Sequence, residues 1–316
     1  MGGSTLEILT DYHGLRHHFK NVSVGLGNFD GVHLGHQRLI NQLVSRARRS
    51  KGTSVVFTFE PHPAMVLNPD NAPPLLLASE VKQHLIAGLG VDLLLAVPFT
   101  REFASLSPER FVREVLCGEI GAKAVFVGYN YTFGHRGAGT PETLLELSKE
   151  NGFTVKVIPP VMVQGQPVSS TLVRNLVADG RVEEAKDYLG YYPLFKGTVV
   201  AGERRGTRIG FPTANLDVEE RVLVPANGVY AVRTLIDNEV FYGVANIGVC
   251  PTFAGSAPCK RRIEVFTFDF SGDLYGKSLE VSFVRRLREE RRFESAAELV
   301  EQIRLDVAAA RALAGR

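Results

Sequence analysis

The stretch from Val22 to Gln37 constrains the fold most, because it reads as a short β-strand, a glycine-rich turn and the first turn of a helix. Val22, Val24 and Leu26 make an apolar β run, and Gly25, Gly27, Gly31 and Gly35 let the backbone approach a ligand closely. His33 and His36 stand three residues apart, which predicts both on one face of the first helical turn. The free N–H groups and positive dipole of that end already favour phosphate, so two imidazoles there add donors to an anion site. A nucleotide-binding crossover is the expectation.

Two other phosphate motifs are not supported. Gly25-Leu-Gly27-Asn-Phe-Asp30 has Asp where a dinucleotide fingerprint needs its third glycine. Gly272-Asp-Leu-Tyr-Gly276-Lys277-Ser278 is one residue short for a P-loop, and Phe268 to Tyr275 reads as a hairpin turn, without the strand-to-helix context.

What remains is G-x-F-D-x-x-H-x-G-H, which resembles the signature of the nucleotidylyltransferase superfamily at every fixed place from Gly27 to His36. The resemblance implies cleavage of ATP between its α- and β-phosphates, with Gly27, Asn28, Phe29, Asp30 and Gly35 around the nucleotide. His33 and His36 would then hydrogen-bond phosphoryl oxygens as negative charge builds, with Mg²⁺ sharing the task. Helix capping is the structural alternative for the pair.

At 316 residues and 45% hydrophobic, the chain is long and apolar enough for two ordinary domains. A net charge of +2 implies neither a nucleic-acid nor a membrane partner, and the basic runs at Arg46–Arg49 and Arg285–Arg288 are brief. Cys117, Cys250 and Cys259 show no C-x-x-C spacing, which argues against a disulfide framework or zinc site and fits a reducing cytoplasm. Met1 to Leu6 has no basic and apolar leader pattern, and no apolar run reaches about 18 residues, so neither secretion nor membrane spanning is expected.

Along the first half, near-continuous apolar runs at Val22–Leu26, Val55–Phe59, Val91–Val97, Ala124–Val127 and Thr154–Ile158 alternate with helical periodicity at His36–Arg49, Ala78–Leu89, Ser107–Cys117 and Pro141–Glu150. That pattern predicts a parallel, doubly wound, Rossmann-like sheet whose ligands bind beyond the carboxyl ends of its strands. Three loops leaving those strands carry candidates. Val168-Ser-Ser170-Thr171-Leu-Val-Arg174 predicts a helix capped by Ser170 or Thr171 with Arg174 one turn in, and it resembles the superfamily motif I-S-S-T-x-x-R that holds the outgoing β,γ-phosphates. Val127-Gly-Tyr-Asn130-Tyr131-Thr-Phe133-Gly134 resembles the segment that grips the flavin in bacterial FAD synthetases. Asn130 offers donor and acceptor to a ring edge there, and Tyr131 or Phe133 a surface that stacks on or supports the ring system. His62, between two prolines, is a weaker candidate for the same pocket.

The second half changes character. Five β runs, at 194–200, 228–233, 240–245, 262–270 and 279–284, follow one another without helices, which predicts an antiparallel barrel. A capping box at Ser295–Glu298 opens a terminal helix. The sequence places the domain boundary at 186/187, giving domains 1–186 and 187–316. Gly202, Gly206 and Gly210, with Arg204, Arg205 and Arg208, suit a phosphate chain, and Thr213 and Asn215 present two hard oxygens suited to Mg²⁺. Gly210-Phe-Pro-Thr-Ala-Asn215 resembles the riboflavin kinase signature, whose metal falls to the counterparts of Thr213 and Asn215.

Glu264 alternates onto one face with Phe266 and Phe268, an apolar setting that favours proton uptake, and it matches that family's base; an ion pair with Arg261 or Arg262 is the structural alternative. Asn246–Phe253 and Arg288 resemble family segments near the flavin. Together the halves resemble the bacterial bifunctional riboflavin kinase/FMN adenylyltransferase (FAD synthetase) family over essentially the whole chain. This implies ATP, riboflavin and FMN as substrates, with the kinase in the barrel and adenylyl transfer in the sheet domain. Oligomeric state stays open. Adenylylation of a different small phosphate ester, or a flavin sensor without turnover, are the other readings.

Overall fold

The computed structural model describes residues 6–202, 206, 209–249 and 261–314. Arg204, Arg205 and Arg208, together with Cys250, Pro251, Phe253 and Cys259, lie outside the described residues. The chain forms two compact units, one of residues up to Pro73 with Ser79–Ser169, the other of Pro74–Ala78 with the residues from Ser170 onward.

The first unit is the expected parallel sheet. Its strands are β1 (Glu7–Leu9), β2 (Val22–Leu26), β3 (Ser54–Phe59), β4 (Leu93–Val97), β5 (Ala122–Gly128) and β6 (Thr154–Ile158), ordered β1-β4-β3-β2-β5-β6 with every pair parallel. Chain order reverses at β2, so the crevice beyond the ends of β2 and β5 is the topological switch point where such sheets bind ligands. Helix α1 (Leu34–Arg49) buries Leu39, Ile40, Leu43, Val44 and Ala47, an i, i+1, i+4, i+5, i+8 stripe. Helices α2 (Pro63–Leu67), α3 (Ser79–Gly88), α4 (Pro108–Arg110) and α5 (Pro141–Asn151) follow, and α4 continues as a π-helix over Phe111–Glu119. Ser107 caps α4 as expected, its hydroxyl accepting from the Arg110 N–H. Two short strands, β7 (Met162–Val163) and β8 (Gln166–Pro167), close a hairpin.

In the second unit, helices α6 (Ser170–Ala178) and α7 (Val182–Leu189) precede a closed antiparallel barrel. Its strands are β9 (Leu194–Val200), β10 (Ala214–Val218), β11 (Gly228–Ile236), β12 (Glu239–Val249), β13 (Arg261–Thr267) and β14 (Ser278–Arg288), in the order β10-β13-β12-β11-β14-β9 with β9 closing on β10. The sequence predicts five of these strands; β10 is the sixth, and it carries Asn215. Phe195, Tyr230, Ile247, Ile263, Val265, Val281 and Phe283 fill the barrel. A C-terminal helix, Ala296–Ala314, packs Val307, Ala310 and Leu313 with Phe266 and Phe268 in a separate outer cluster. Its predicted capping box is half formed: the Ser295 hydroxyl accepts from the Glu298 N–H, while the Glu298 carboxylate reaches back to the N–H of Glu294 rather than Ser295.

Candidate functional site

In the first unit, β2 delivers the chain into a turn that is tightly held. Phe29 is fully buried at φ 52, Gly31 lies at φ 82 and Val32 at φ 35, an uncommon region for a β-branched residue. The Thr58 hydroxyl at the end of β3 donates to the Asn28 carbonyl, Gly27 N–H donates to the Phe57 carbonyl, and Gln37 Nε2 donates to the Val32 carbonyl. Asp30 is also buried.

This turn presents the two histidines as the spacing predicts. His33 is the N-cap of α1, its Nδ1 accepting from the His36 N–H at 3.3 Å. The two rings stack with centroids 3.6 Å apart and 13° between planes, and the Phe29 ring meets His36 edge-on at 5.2 Å. Gly35 makes room for this, since a Cβ there would sit 3.1 Å from His33 Cε1. Burial pushes His33 down to about 4. Burial, then the charges of His33 and Lys82, holds His36 well below its ordinary value. Both rings are therefore neutral near pH 7. Because Nδ1 of His33 is an acceptor, its proton sits on Nε2, where it can be donated to a phosphoryl oxygen. Capping thus leaves His33 able to act as a donor, since the cap bond occupies Nδ1 and leaves the proton on Nε2.

After β5, Phe133 and Gly139 exchange two backbone hydrogen bonds and close the intervening loop. Tyr131 and Phe133 stack at 5.8 Å, Phe133 being buried against Phe111, and Asn130 is exposed at the loop entrance. Phe133 thus supports Tyr131 from the core side. His62 caps α2, its Nδ1 accepting from Ala64 N–H at 3.2 Å.

Ser170, Thr171 and Arg174 fall in the second unit. Helix α6 begins at Ser170, so the cap position is Ser169 and the predicted caps occupy the first turn. Arg174 lies one turn in, as expected, and its Nε donates to the Pro74 carbonyl at 2.8 Å.

On the barrel, register does what linear spacing cannot. Asn215 of β10 pairs with Glu264 of β13, and Glu264 pairs on its other side with Asn246 of β12. Directly paired residues share a face, so these three polar side chains form one row across three strands, while Ile263 and Val265 face the barrel core. Gly202 lies against Asn215, where a Cβ would collide with the side-chain amide, and Gly206 approaches Thr213, whose Oγ1 would be 3.2 Å from a Cβ. Gly210, at φ 88, turns the chain back so that the Phe211 N–H reaches the Gly206 carbonyl. The Phe211 ring meets Phe266 edge-on at 5.5 Å on the face of Glu264.

Glu264 pairs with Arg262 at 2.7 Å, so its setting is a guanidinium beside an aromatic wall and not the purely apolar face expected. Arg288 differs more. It forms a two-pronged pair with Asp306 of the C-terminal helix at 2.8–3.1 Å, and Gln302 bridges Asp306 to Arg291. Two carboxylates without a motif signal have contacts that the fold alone supplies: Glu60 pairs with Lys82 of α3, and Glu290 packs on Gly248 of β12.

Residues 15–172 match the family model of FAD synthetase, and residues 189–314 match that of riboflavin kinase. The bifunctional riboflavin kinase/FMN adenylyltransferase of Bacillus subtilis is 38% identical over 304 residues, covering 96% of this chain and 95% of its own. The chain belongs to the bifunctional riboflavin kinase/FMN adenylyltransferase family. Its members from Pseudomonas fluorescens and Escherichia coli K12 are 39% and 37% identical, covering 98% and 92% of this chain and the same shares of their own. A crystal structure described as a macrolide-efflux protein from Streptococcus pneumoniae has the same fold, with TM-score 0.86 and 32% identity over 97% of this chain and 99% of that one. Efflux belongs to that structure's description; among the described residues here no helix is long and apolar enough to cross a membrane. Like its family, the chain is a transferase of two activities, riboflavin kinase and FMN adenylyltransferase, their domains in the predicted order.

Proposed function

We propose that His33 and His36 carry adenylyl transfer and that Glu264, Thr213 and Asn215 carry the kinase step. The kinase reaction joins the ribityl 5′-hydroxyl of riboflavin to the γ-phosphorus of ATP as ADP leaves, with Glu264 taking the hydroxyl proton. In the second reaction a phosphate oxygen of FMN attacks the α-phosphorus of a second ATP, forming FAD and releasing pyrophosphate. No covalent enzyme intermediate is needed; the neutral imidazoles donate hydrogen bonds to oxygens on which charge builds. The observation that carries this reading is the stacked, neutral His33–His36 pair at the mouth of β2, its tautomer fixed by the α1 backbone.

The remaining roles follow the motif resemblance. Gly27, Asn28, Phe29, Asp30 and Gly35 shape the nucleotide turn. Ser170, Thr171 and Arg174 hold the β,γ-phosphates, and Asn130, Tyr131, Phe133 and His62 form the flavin pocket of the adenylyltransferase. We assign adenylyl transfer to residues 1–186 and phosphorylation to 187–316. Arg288 acts by fixing the end of β14 on the C-terminal helix. Thr213 and Asn215 suit Mg²⁺, since both offer hard oxygens over backbone that Gly202 and Gly206 leave open. Bound there, the ion would neutralise phosphate charge. The substrates are small molecules, with no nucleic acid or membrane partner, and the cytoplasm is the compartment.

Incubating the chain with riboflavin, ATP and Mg²⁺ and separating the flavins over time tests the pair of activities. FMN rising and then giving way to FAD is expected; binding of flavin without product would favour a sensor.

A further inference from the structure

Helix α1 buries one stripe and carries a second along the edge of a cleft. Arg38, Arg46 and Arg49, at i, i+8 and i+11, stand on that second stripe, and between Asp30 and Glu60 the chain has no acidic residue. With Lys156 of β6 the three arginines line an open cleft of about 970 Å³ whose lining holds no carboxylate. Its floor includes Ala124 and Phe126 of β5, which alternate with the core residues Val125 and Val127. Arginines in the last turn of α1 suit the helix dipole, but Arg38, near the other end, does not. Inner strands of a parallel sheet are ordinarily covered by helices on both faces, so an open cleft beside β5 is a place for one more helix.

The opposite face of the same two strands carries the complement. Helix α5 joins Leu144 and Leu147 to the core cluster of Val125, Val127, Val155 and Val157. Its outer face shows Glu142, Glu146 and Glu150, at i, i+4 and i+8, around Leu145, which is 40% exposed; Lys149 is a cation on the same face. Among the described residues, none of these three glutamates and none of the four cations of the cleft is in an ion pair. An apolar floor edged by free cations and an exposed leucine edged by free carboxylates are thus present on one chain.

We propose that the chain associates with further copies of itself, α5 of one copy docking in the cleft between α1 and β6 of the next. Leu145 covers the apolar floor, and the glutamates of α5 meet Arg38, Arg46, Arg49 and Lys156. The helix and the cleft lie on opposite faces of one sheet, so a single two-fold pair cannot seat both. The contact therefore runs head to tail, and the assembly closes as a ring or extends. Repulsion between like charges keeps cleft from cleft and helix from helix, which fixes this pairing.

Sedimentation of the full chain over a concentration series, at about 50 mM and about 0.5 M salt, tests this. Species heavier than the monomer are expected at low salt, with association weakened about tenfold or more at high salt. The double variant Arg46→Glu/Arg49→Glu and the double variant Glu146→Lys/Glu150→Lys should each stay monomeric alone. An equimolar mixture of the two should associate again, because each acidic cleft then finds a basic helix and each basic cleft an acidic one. All four positions lie outside both proposed sites, so FMN and FAD formation by the dilute variants should match the unaltered chain and report an intact fold. Leu145→Asp, a single exposed change, should abolish the association as well. An unaltered chain that is monomeric throughout at low salt would overturn the proposal. So would association that survives either charge reversal, or a mixture of the two variants that remains monomeric.

Discussion

Asn215 on β10 and Glu264 on β13 are register partners in one antiparallel ladder, and Asn246 of β12 completes their row. The amide suited to the metal and the proposed base therefore sit side by side although 49 positions separate them, the difference between 264 and 215. Replacing Glu264 with Gln keeps the shape and removes the proton acceptor, and it also breaks the pair with Arg262. Riboflavin phosphorylation is expected to fall by about 10²-fold or more while adenylylation of supplied FMN is unchanged. Measuring both products separately checks this, and an active variant would leave Glu264 as a partner of Arg262 only.

Gly202 gives a second kinase prediction. Its missing Cβ is where the Asn215 side chain lies, so Gly202→Ala must displace that amide. The expected result is a raised Mg²⁺ requirement for FMN formation, with FAD formation from FMN intact. Titrating Mg²⁺ in the two assays decides it.

The first unit should be acid-sensitive in a defined window. His33 goes from 6.5 to about 4 because it is buried, so between those values the unfolded chain binds a proton that the folded chain does not. Stability conferred by the neutral ring is present above about pH 6.5 and is lost as pH falls toward 4, by up to about 3 kcal/mol, with no further change below. Urea unfolding at pH 7 and pH 4.5 should show this loss, and His33→Gln should reduce it.

Asp306 is the buried end of the Arg288 pair, its side chain 6% exposed. Asp306→Ala leaves Arg288 and Gln302 without their shared acceptor and should destabilise the second unit by about 3 kcal/mol. Thermal unfolding measures it, and the loss should appear at saturating substrate as well.

Legibility in the sequence tracked how local the determining forces are. Val22–Leu26, Thr154–Ile158 and Leu194–Val200 appear with the predicted bounds because an apolar run bounded by turn residues is read directly. The His33–His36 stack follows from helical spacing. Strand β1, three residues without a buried pattern, exists only because β4 offers an edge. Strand β10 is hidden because Pro212, Thr213 and Asn215 draw attention as a metal motif while the pairing to β9 and β13 is long-range. For the same reason the partners of Glu264 and Arg288, and the pair of Lys82 with Glu60, become visible only in three dimensions.

Residues Pro74–Ala78 belong to the second unit although both their flanks belong to the first. Leu75 exchanges backbone hydrogen bonds with Arg221 and Leu223, the Pro74 carbonyl holds Arg174, and Leu76 and Leu77 are buried. No single cut of the chain therefore yields the second unit whole, and a fragment starting at 187 also loses α6 and most of α7. During synthesis this five-residue piece leaves the ribosome roughly 100 to 150 residues before its partners and must wait for them. Loss of one activity by gene splitting, or its relocation to a separate chain, would require this borrowed segment to be replaced first.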